Sequence, residues 1–330
     1  MALFSDPHSP SAEPGSPLPQ APKVPCPEPS GSPADAHRQI RRVALAAFWT
    51  LLAVQGSAAL LTLPVSFFPG LAEKDWLLVL LSALSLALVG MPVCRLALRR
   101  VPEGPAPMAP SEPPIPILFS FTLAAMGMST LVNLATVWIV QLFERISGLS
   151  VYDPVQTLME LPALPLALYT VLLAPFVEEV IFRGLLLSRL RGFGTRFSVV
   201  VTALLFALYH CNFLQMPYAF VCGLLLGYLA VWSGSVWYPV IVHTLINGWS
   251  VAATLLSAGG ESAAAAVAMA NTAILFLGTA FFFRLWRFAP MEPPPPKAAA
   301  RQRRRALLCS PGMLLYLLLS LALALYTAML

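Results

Sequence analysis

Apolar residues run along this chain in blocks of about 20, separated by short polar or proline-rich breaks, and no apolar/polar alternation is visible inside the blocks. A helix needs roughly 20 such residues to cross a hydrocarbon layer about 30 Å thick. The blocks predict spans near Val43–Phe68, Trp76–Leu98, Ile115–Phe143, Leu161–Leu187, Phe197–Leu214, Met216–Trp232, Trp237–Leu256, Ala264–Phe283 and Met313–Leu330, nine in all. Lipid offers no water to open backbone groups, so a spanning segment must close its hydrogen bonds within a helix or a closed barrel. The missing period of two argues against a barrel. The expected fold class is all-α, a polytopic integral membrane bundle of about nine transmembrane helices.

Breaks in the pattern suggest four parts. Residues 1–37 are rich in Pro, Ser and Ala without hydrophobic period, and are expected to be a disordered cytoplasmic tail with no signal-peptide pattern. Residues 38–160 hold the first three spans. Residues 161–258 form a nearly continuous helical core, and residues 259–330 carry the last two spans with a basic, Pro-rich cytoplasmic loop. Val101–Pro116 and Ala289–Pro296 read as cytoplasmic linkers.

Composition agrees, with 58% hydrophobic and 11% charged residues, too few charges to coat a soluble domain. The net charge of +5 raises the question of nucleic acid. Its arginines, however, lie at helix ends and form neither a face nor an arm, so no nucleic-acid partner is expected. Arg38, Arg41 and Arg42, then Arg95, Arg99 and Arg100, then Arg189, Arg191 and Arg196, and finally the run from Arg284 to Arg305 all fall on one side of the predicted membrane. Lys74 and Arg145 fall on the other. The positive-inside rule then expects a cytoplasmic N-terminus and, with nine spans, a C-terminus outside. Cys26, Cys94, Cys211, Cys222 and Cys309 show no repeated spacing and predict neither a disulfide framework nor a metal knuckle.

Against this background three polar constellations stand out. Glu178-Glu179-Val180-Ile181-Phe182-Arg183 lies inside the fourth span; Phe206 and His210 pair four residues apart on the fifth, as do His243 and Asn247 on the seventh. An ionised side chain at the centre of a spanning helix costs roughly 2.5–3.5 kcal/mol, so such residues are expected to face a protein or water-lined interior and to mark a functional site. From the 1.5 Å rise, Glu178, His210, His243 and Asn247 lie about 16, 20, 9 and 15 Å from the basic side, converging near mid-membrane. Glu179 and Arg183, one turn apart, are expected to pair. Two neighbouring carboxylates in low dielectric cannot both ionise easily, which suits Glu178 to act as a general base on water. His210 is expected to orient that water, and His243 and Asn247 to donate to the oxygen that becomes negative when water attacks a peptide carbonyl. Gly223 and Gly227 read as a packing pair and the Cys211 thiol as buried and inert.

Glu-Glu-x-x-x-Arg, Phe-x-x-x-His and His-x-x-x-Asn, in this order on successive membrane helices over residues 161–257, resemble the CAAX protease and bacteriocin-processing (Abi) family. That family includes type II CAAX prenyl endopeptidases and bacterial relatives similar to lysostaphin resistance protein A. The resemblance implies an intramembrane endopeptidase with Glu178, Glu179, His210, His243 and Asn247 at catalytic positions, supported by Arg183 and Phe206. Its implied partners are the lipid bilayer and a membrane-embedded or lipid-anchored protein or peptide, such as a CAAX-type end or a bacterial leader or sorting tail. The Ala/Leu/Pro/Arg-heavy composition points to a GC-rich bacterium, hence to an inner membrane. No cofactor is expected, but zinc held by Glu178, His210 and His243 stays open as an alternative, as do a proton-coupled transporter and a catalytically silent scaffold.

Overall fold

The structure, a computed structural model, describes residues 33–72, 74–104, 113–288 and 295–330, and these contain helices and connecting turns but no strand. Besides two short helices, Pro69–Ala72 and Pro154–Met159, the helices in chain order are α1 (Pro33–Ser66), α2 (Asp75–Leu98), α3 (Ile115–Ser147), α4 (Ala163–Phe193) and α5 (Thr195–Tyr209). They continue as α6 (Gln215–Ser233), α7 (Trp237–Ser257), α8 (Glu261–Phe288), α9 (Lys297–Leu308) and α10 (Pro311–Ala328). Of these ten labelled helices eight, all but α5 and α9, are long and apolar enough to cross a membrane, which makes this an integral membrane protein.

The predicted fifth span, Phe197–Leu214, differs. It ends at Tyr209, and its 15 residues reach about 22 Å, short of a hydrocarbon layer of about 30 Å. The cause lies in the next residues. Cys211 adopts a φ of 49°, and Asn212 builds a turn in which its side-chain oxygen accepts from the Leu214 N–H at 2.9 Å and its carbonyl from Met216 at 2.9 Å. A polar side chain that satisfies backbone groups locally outweighs the apolar run on either side.

Two other expectations shift. Helix α1 begins at Pro33, so the last five residues of the expected tail are helical, and the rest of the tail lies outside the described residues. The basic segment after residue 296 is helical, not a loop, since its Ala, Leu, Arg and Gln are strong helix formers. Arg303 and Leu307 on α9 are buried, and the Arg303 guanidinium donates to the Phe193 carbonyl at the end of α4.

Helices α4–α7 form the centre. On one side α3 packs on α6 and α7, with α8 laid along α3; on the other α1, α2 and α10 pack on α4 and α5, with α9 laid against α1. The supporting helices therefore split between two flanks instead of following chain order. With lipid tails as apolar as the side chains, close packing decides such contacts. Added Cβ atoms would lie 2.6 Å from the Gly278 Cα at Gly127, and 3.1 Å from the Ala203 Cα at Gly223, so both crossings exploit bare glycine. The Tyr316 hydroxyl on α10 donates to the Leu205 carbonyl at 2.7 Å, fixing α10 against α5.

Helices α2 and α4 are not uniform. Each contains a wide π turn, Ser85–Gly90 and Ala167–Leu173, that stops two residues before a proline, Pro92 and Pro175. Proline brings no N–H and its ring crowds the carbonyl one turn back, and widening the turn relieves both. A further π turn, Val180–Leu187, directly follows the glutamate pair.

Candidate active site

The Ala167–Leu173 turn has a consequence for the site. In its register the Ala174 N–H reaches the Tyr169 carbonyl, so the next partner in line, for Thr170, is the nitrogen of Pro175, which carries no hydrogen. The orphaned Thr170 carbonyl accepts instead from the Asn247 amide nitrogen on α7, at 2.8 Å. This bond closes a buried acceptor and fixes α7 beside α4, one helical turn from His243.

On α4, Glu179 is completely buried and pairs with Arg183, Oε1 to Nη1, at 2.8 Å. The same oxygen accepts from His243 Nδ1 at 2.9 Å. Arg183 reaches further, to the Gly223 carbonyl at 3.3 Å, and its guanidinium carbon lies 4.5 Å from the centre of the Phe206 ring. Charge, hydrogen bonding and cation–π contact thus hold α4, α5, α6 and α7 to one point.

Glu178, with 9% of its surface exposed, brings Oε2 to 4.0 Å from His243 Nε2. The two neighbouring glutamates therefore flank one imidazole. Because a carboxylate paired with a guanidinium only accepts, the hydrogen sits on Nδ1, and the neutral ring turns a bare Nε2 towards Glu178. His210, at the end of α5, repeats the pattern: its Nδ1 lies 2.8 Å from the Phe206 carbonyl, which also only accepts, leaving Nε2 as the free lone pair. Its ring meets Phe206 edge to face with centroids 4.8 Å apart, and Phe206 meets His243 the same way at 5.9 Å.

The structure thus gathers Glu178, Glu179, Arg183, Phe206 and His243 in direct contact. His210 joins them across the Phe206 ring, and among the described residues the imidazole within 4.0 Å of Glu178 belongs to His243, not His210. Asn247 stands one turn along α7 on the Thr170 carbonyl. In the neutral state neither imidazole donates from Nε2, so the expected oxyanion-donor role of His243 requires its protonated form. Asn247 keeps a second amide hydrogen for that task.

Three tyrosines that the sequence reading left out, Tyr169 on α4, Tyr209 on α5 and Tyr218 on α6, lie within electrostatic range of Glu178. The only signal for them was Tyr209 beside His210. The ring of Tyr209 also packs on Phe182, centroids 5.5 Å apart. The turn that ends α5 is tied down from outside the core, Asn212 donating to Asp153 at 3.1 Å.

Zinc would need at least three protein ligands around one point. Among the described residues no three His, Cys, Asp or Glu side chains form such a group. The second carboxylate of the pair, Glu179, is bonded to Arg183 and His243.

Residues 160–249 match the family model described as Type II CAAX prenyl endopeptidase Rce1-like, a stretch that contains every residue of this site. The membrane-embedded CAAX protease MroQ of Staphylococcus aureus (strain USA300) is 31% identical over 93 residues, 26% of this chain and 38% of that protein. The match therefore spans well under half the length of this curated relative. No solved structure matches the chain.

Proposed function

We propose that this chain, whose residues 160–249 match the Rce1-like endopeptidase model, is an intramembrane endopeptidase of the CAAX protease family that hydrolyses a peptide bond near the membrane-embedded end of a protein or peptide. The observation that carries the reading is the line Glu179, His243, Glu178, with one imidazole bonded to the first carboxylate at 2.9 Å and facing the second at 4.0 Å.

A water between Glu178 Oε2 and His243 Nε2 meets two acceptors, so both of its hydrogens are held and its oxygen lone pairs point away from them. That oxygen attacks the scissile carbonyl carbon while one proton passes to Glu178. The negative oxygen of the tetrahedral intermediate takes the second amide hydrogen of Asn247. As the C–N bond breaks, Glu178 returns its proton to the leaving nitrogen, and both carboxylate and catalyst are restored. Glu179 keeps the His243 ring in one tautomer and orientation, and Arg183 holds Glu179. His210 presents its free Nε2 from the other edge of Phe206 and steadies the attacking water. The substrate class, a membrane-embedded or lipid-anchored peptide end, and a cytoplasmic N-terminus in a bacterial inner membrane belong to the same proposal.

The test compares membrane-protein and secreted-protein termini in cells carrying the intact chain or Glu178→Gln. Peptide ends that vanish in the variant, with the variant present at normal level in the membrane, are the expected result. Identical termini in both strains would overturn the assignment.

A further inference from the structure

At the basic end of the bundle, α1, α9 and the start of α10 enclose a cavity of about 560 Å³ that the peptidase reading does not use. Arg38, Arg41 and Arg42 stand on one wall, and Ser310, Pro311 and Gly312 form the other. Asp35 lies in the first turn of α1. The second wall is the N-terminus of an 18-residue helix, whose early backbone N–H groups have no intrahelical acceptor and carry the positive end of its dipole. A helix N-terminus facing three guanidinium groups calls for an anion.

Ser310 adds an independent observation. It is only 1% exposed, yet its hydroxyl has no hydrogen-bond partner among the described residues. It occupies the position that normally caps a helix but does not cap α10. A buried, unpartnered hydroxyl costs roughly 1–3 kcal/mol, and here it lines a cationic cavity at a helix start, where an anion would accept its hydrogen.

The surroundings identify the anion's source. Leu45 lines the same cavity at 38% exposure, and Trp49, one turn further along α1, is 48% exposed. A second recess shares Arg42 and Leu45 with the first and adds Trp49, Arg99 and Arg100. Basic groups thus sit directly above an open apolar face, the arrangement that a lipid headgroup with its acyl chains fills and a free ion does not.

We propose that this cavity binds the phosphate of an anionic phospholipid, with its chains laid along Leu45 and Trp49. The full chain, purified in detergent, is titrated with phosphatidylglycerol, phosphatidylcholine or inorganic phosphate. Bound lipid is counted by native mass spectrometry and melting temperature is followed in parallel. One phosphatidylglycerol is expected to be retained well above phosphatidylcholine. At roughly fivefold per arginine, Arg38→Gln with Arg41→Gln weakens retention about thirtyfold. Ser310→Ala weakens it about tenfold, as expected for one hydrogen bond to a charged group. The same substitution leaves the lipid-free melting temperature unchanged or raised, because it removes an unsatisfied hydroxyl. Arg301→Gln with Arg304→Gln, outside the cavity, retains the lipid as the parent does.

Equal retention in Ser310→Ala and the parent would overturn the proposal, as would retention of phosphatidylcholine equal to phosphatidylglycerol. If inorganic phosphate alone raised the melting temperature as much as the lipid and displaced it, the site would belong to a soluble anion, and the lipid assignment would fall.

Discussion

Arg183→Ala tests the centre of the site most directly. It removes the guanidinium that pairs with Glu179 at 2.8 Å and leaves a fully buried carboxylate whose Oε2 already has no hydrogen-bond partner. Breaking one side of a buried pair costs about 3–5 kcal/mol, and the lost contact with the Phe206 face adds up to about 2. Against a total stability on the order of 5–15 kcal/mol, this predicts a fall in melting temperature on the order of 10 °C and a lower yield in the membrane. A paired change, Glu179→Gln with Arg183→Met, removes both charges at similar volume. It should melt within a few degrees of the parent, since replacing a whole buried pair is often neutral. Its cleavage activity should still be low, because a glutamine amide can turn either its oxygen or its NH₂ towards His243 Nδ1 and so no longer enforces the tautomer that leaves Nε2 bare. Differential scanning fluorimetry of detergent-purified protein, with a cleavage assay beside it, reads both effects. An Arg183→Ala protein melting with the parent, or a double variant as unstable as the single one, would refute the unpaired-charge argument.

Glu178→Gln is expected to abolish cleavage with no change in melting temperature, and His243→Ala to lower cleavage at least 100-fold, the range of general acid–base contributions. Removal of divalent metal by a strong chelator is expected to leave activity intact; loss on chelation and recovery with one zinc per chain would reverse this. Asn247→Ala is expected to cost about 1–3 kcal/mol by opening the Thr170 carbonyl, and Pro175→Ala in the same chain to recover part of it by supplying an N–H; thermal melts of the single and double variants decide. Gly278→Val is expected to separate α8 from α3, because its side chain would enter the space of the Leu123 carbonyl and the Gly127 backbone; the readout is protease sensitivity of the 258–260 loop.

The sequence carried the spans well because an apolar run of 20 residues has few other fates. It failed where short-range chemistry interrupts such a run. The Asn212 turn that stops α5 depends on one polar side chain satisfying its own backbone, and hydropathy does not register it. The basic segment that forms α9 was hidden by its charge, although its helix propensity was in plain view. Within the site, the Glu179–Arg183 pair followed from spacing alone. The task of Asn247 did not, since it depends on a carbonyl left open by a proline and a π turn on another helix.

The glutamate pair shows how one geometric premise cuts two ways. Neighbours on a helix diverge by about 100°, which makes it hard for both carboxylates to enter one metal shell with ligand distances near 2 Å. The same divergence suits an imidazole. Its two nitrogens lie on different edges of a rigid ring, so a histidine from the facing helix meets one carboxylate with Nδ1 and the other with Nε2. The observed separations are unequal, 2.9 Å to Glu179 and 4.0 Å to Glu178. The short contact fixes the ring and its tautomer, while the long one lets a water beside the line joining the two groups reach both at about 2.8 Å. In the proposed mechanism two identical side chains thereby acquire different tasks from their place alone, Glu179 as the buried anchor tied to Arg183 and Glu178 as the carboxylate that takes a proton. Exchanging Glu178 for Asp should expose this difference: one methylene less widens the gap by about 1 Å, a misplacement that is expected to lower turnover about 100-fold with the melting temperature unchanged. Full activity in Glu178→Asp would show that the spacing to His243 does not set the position of the water.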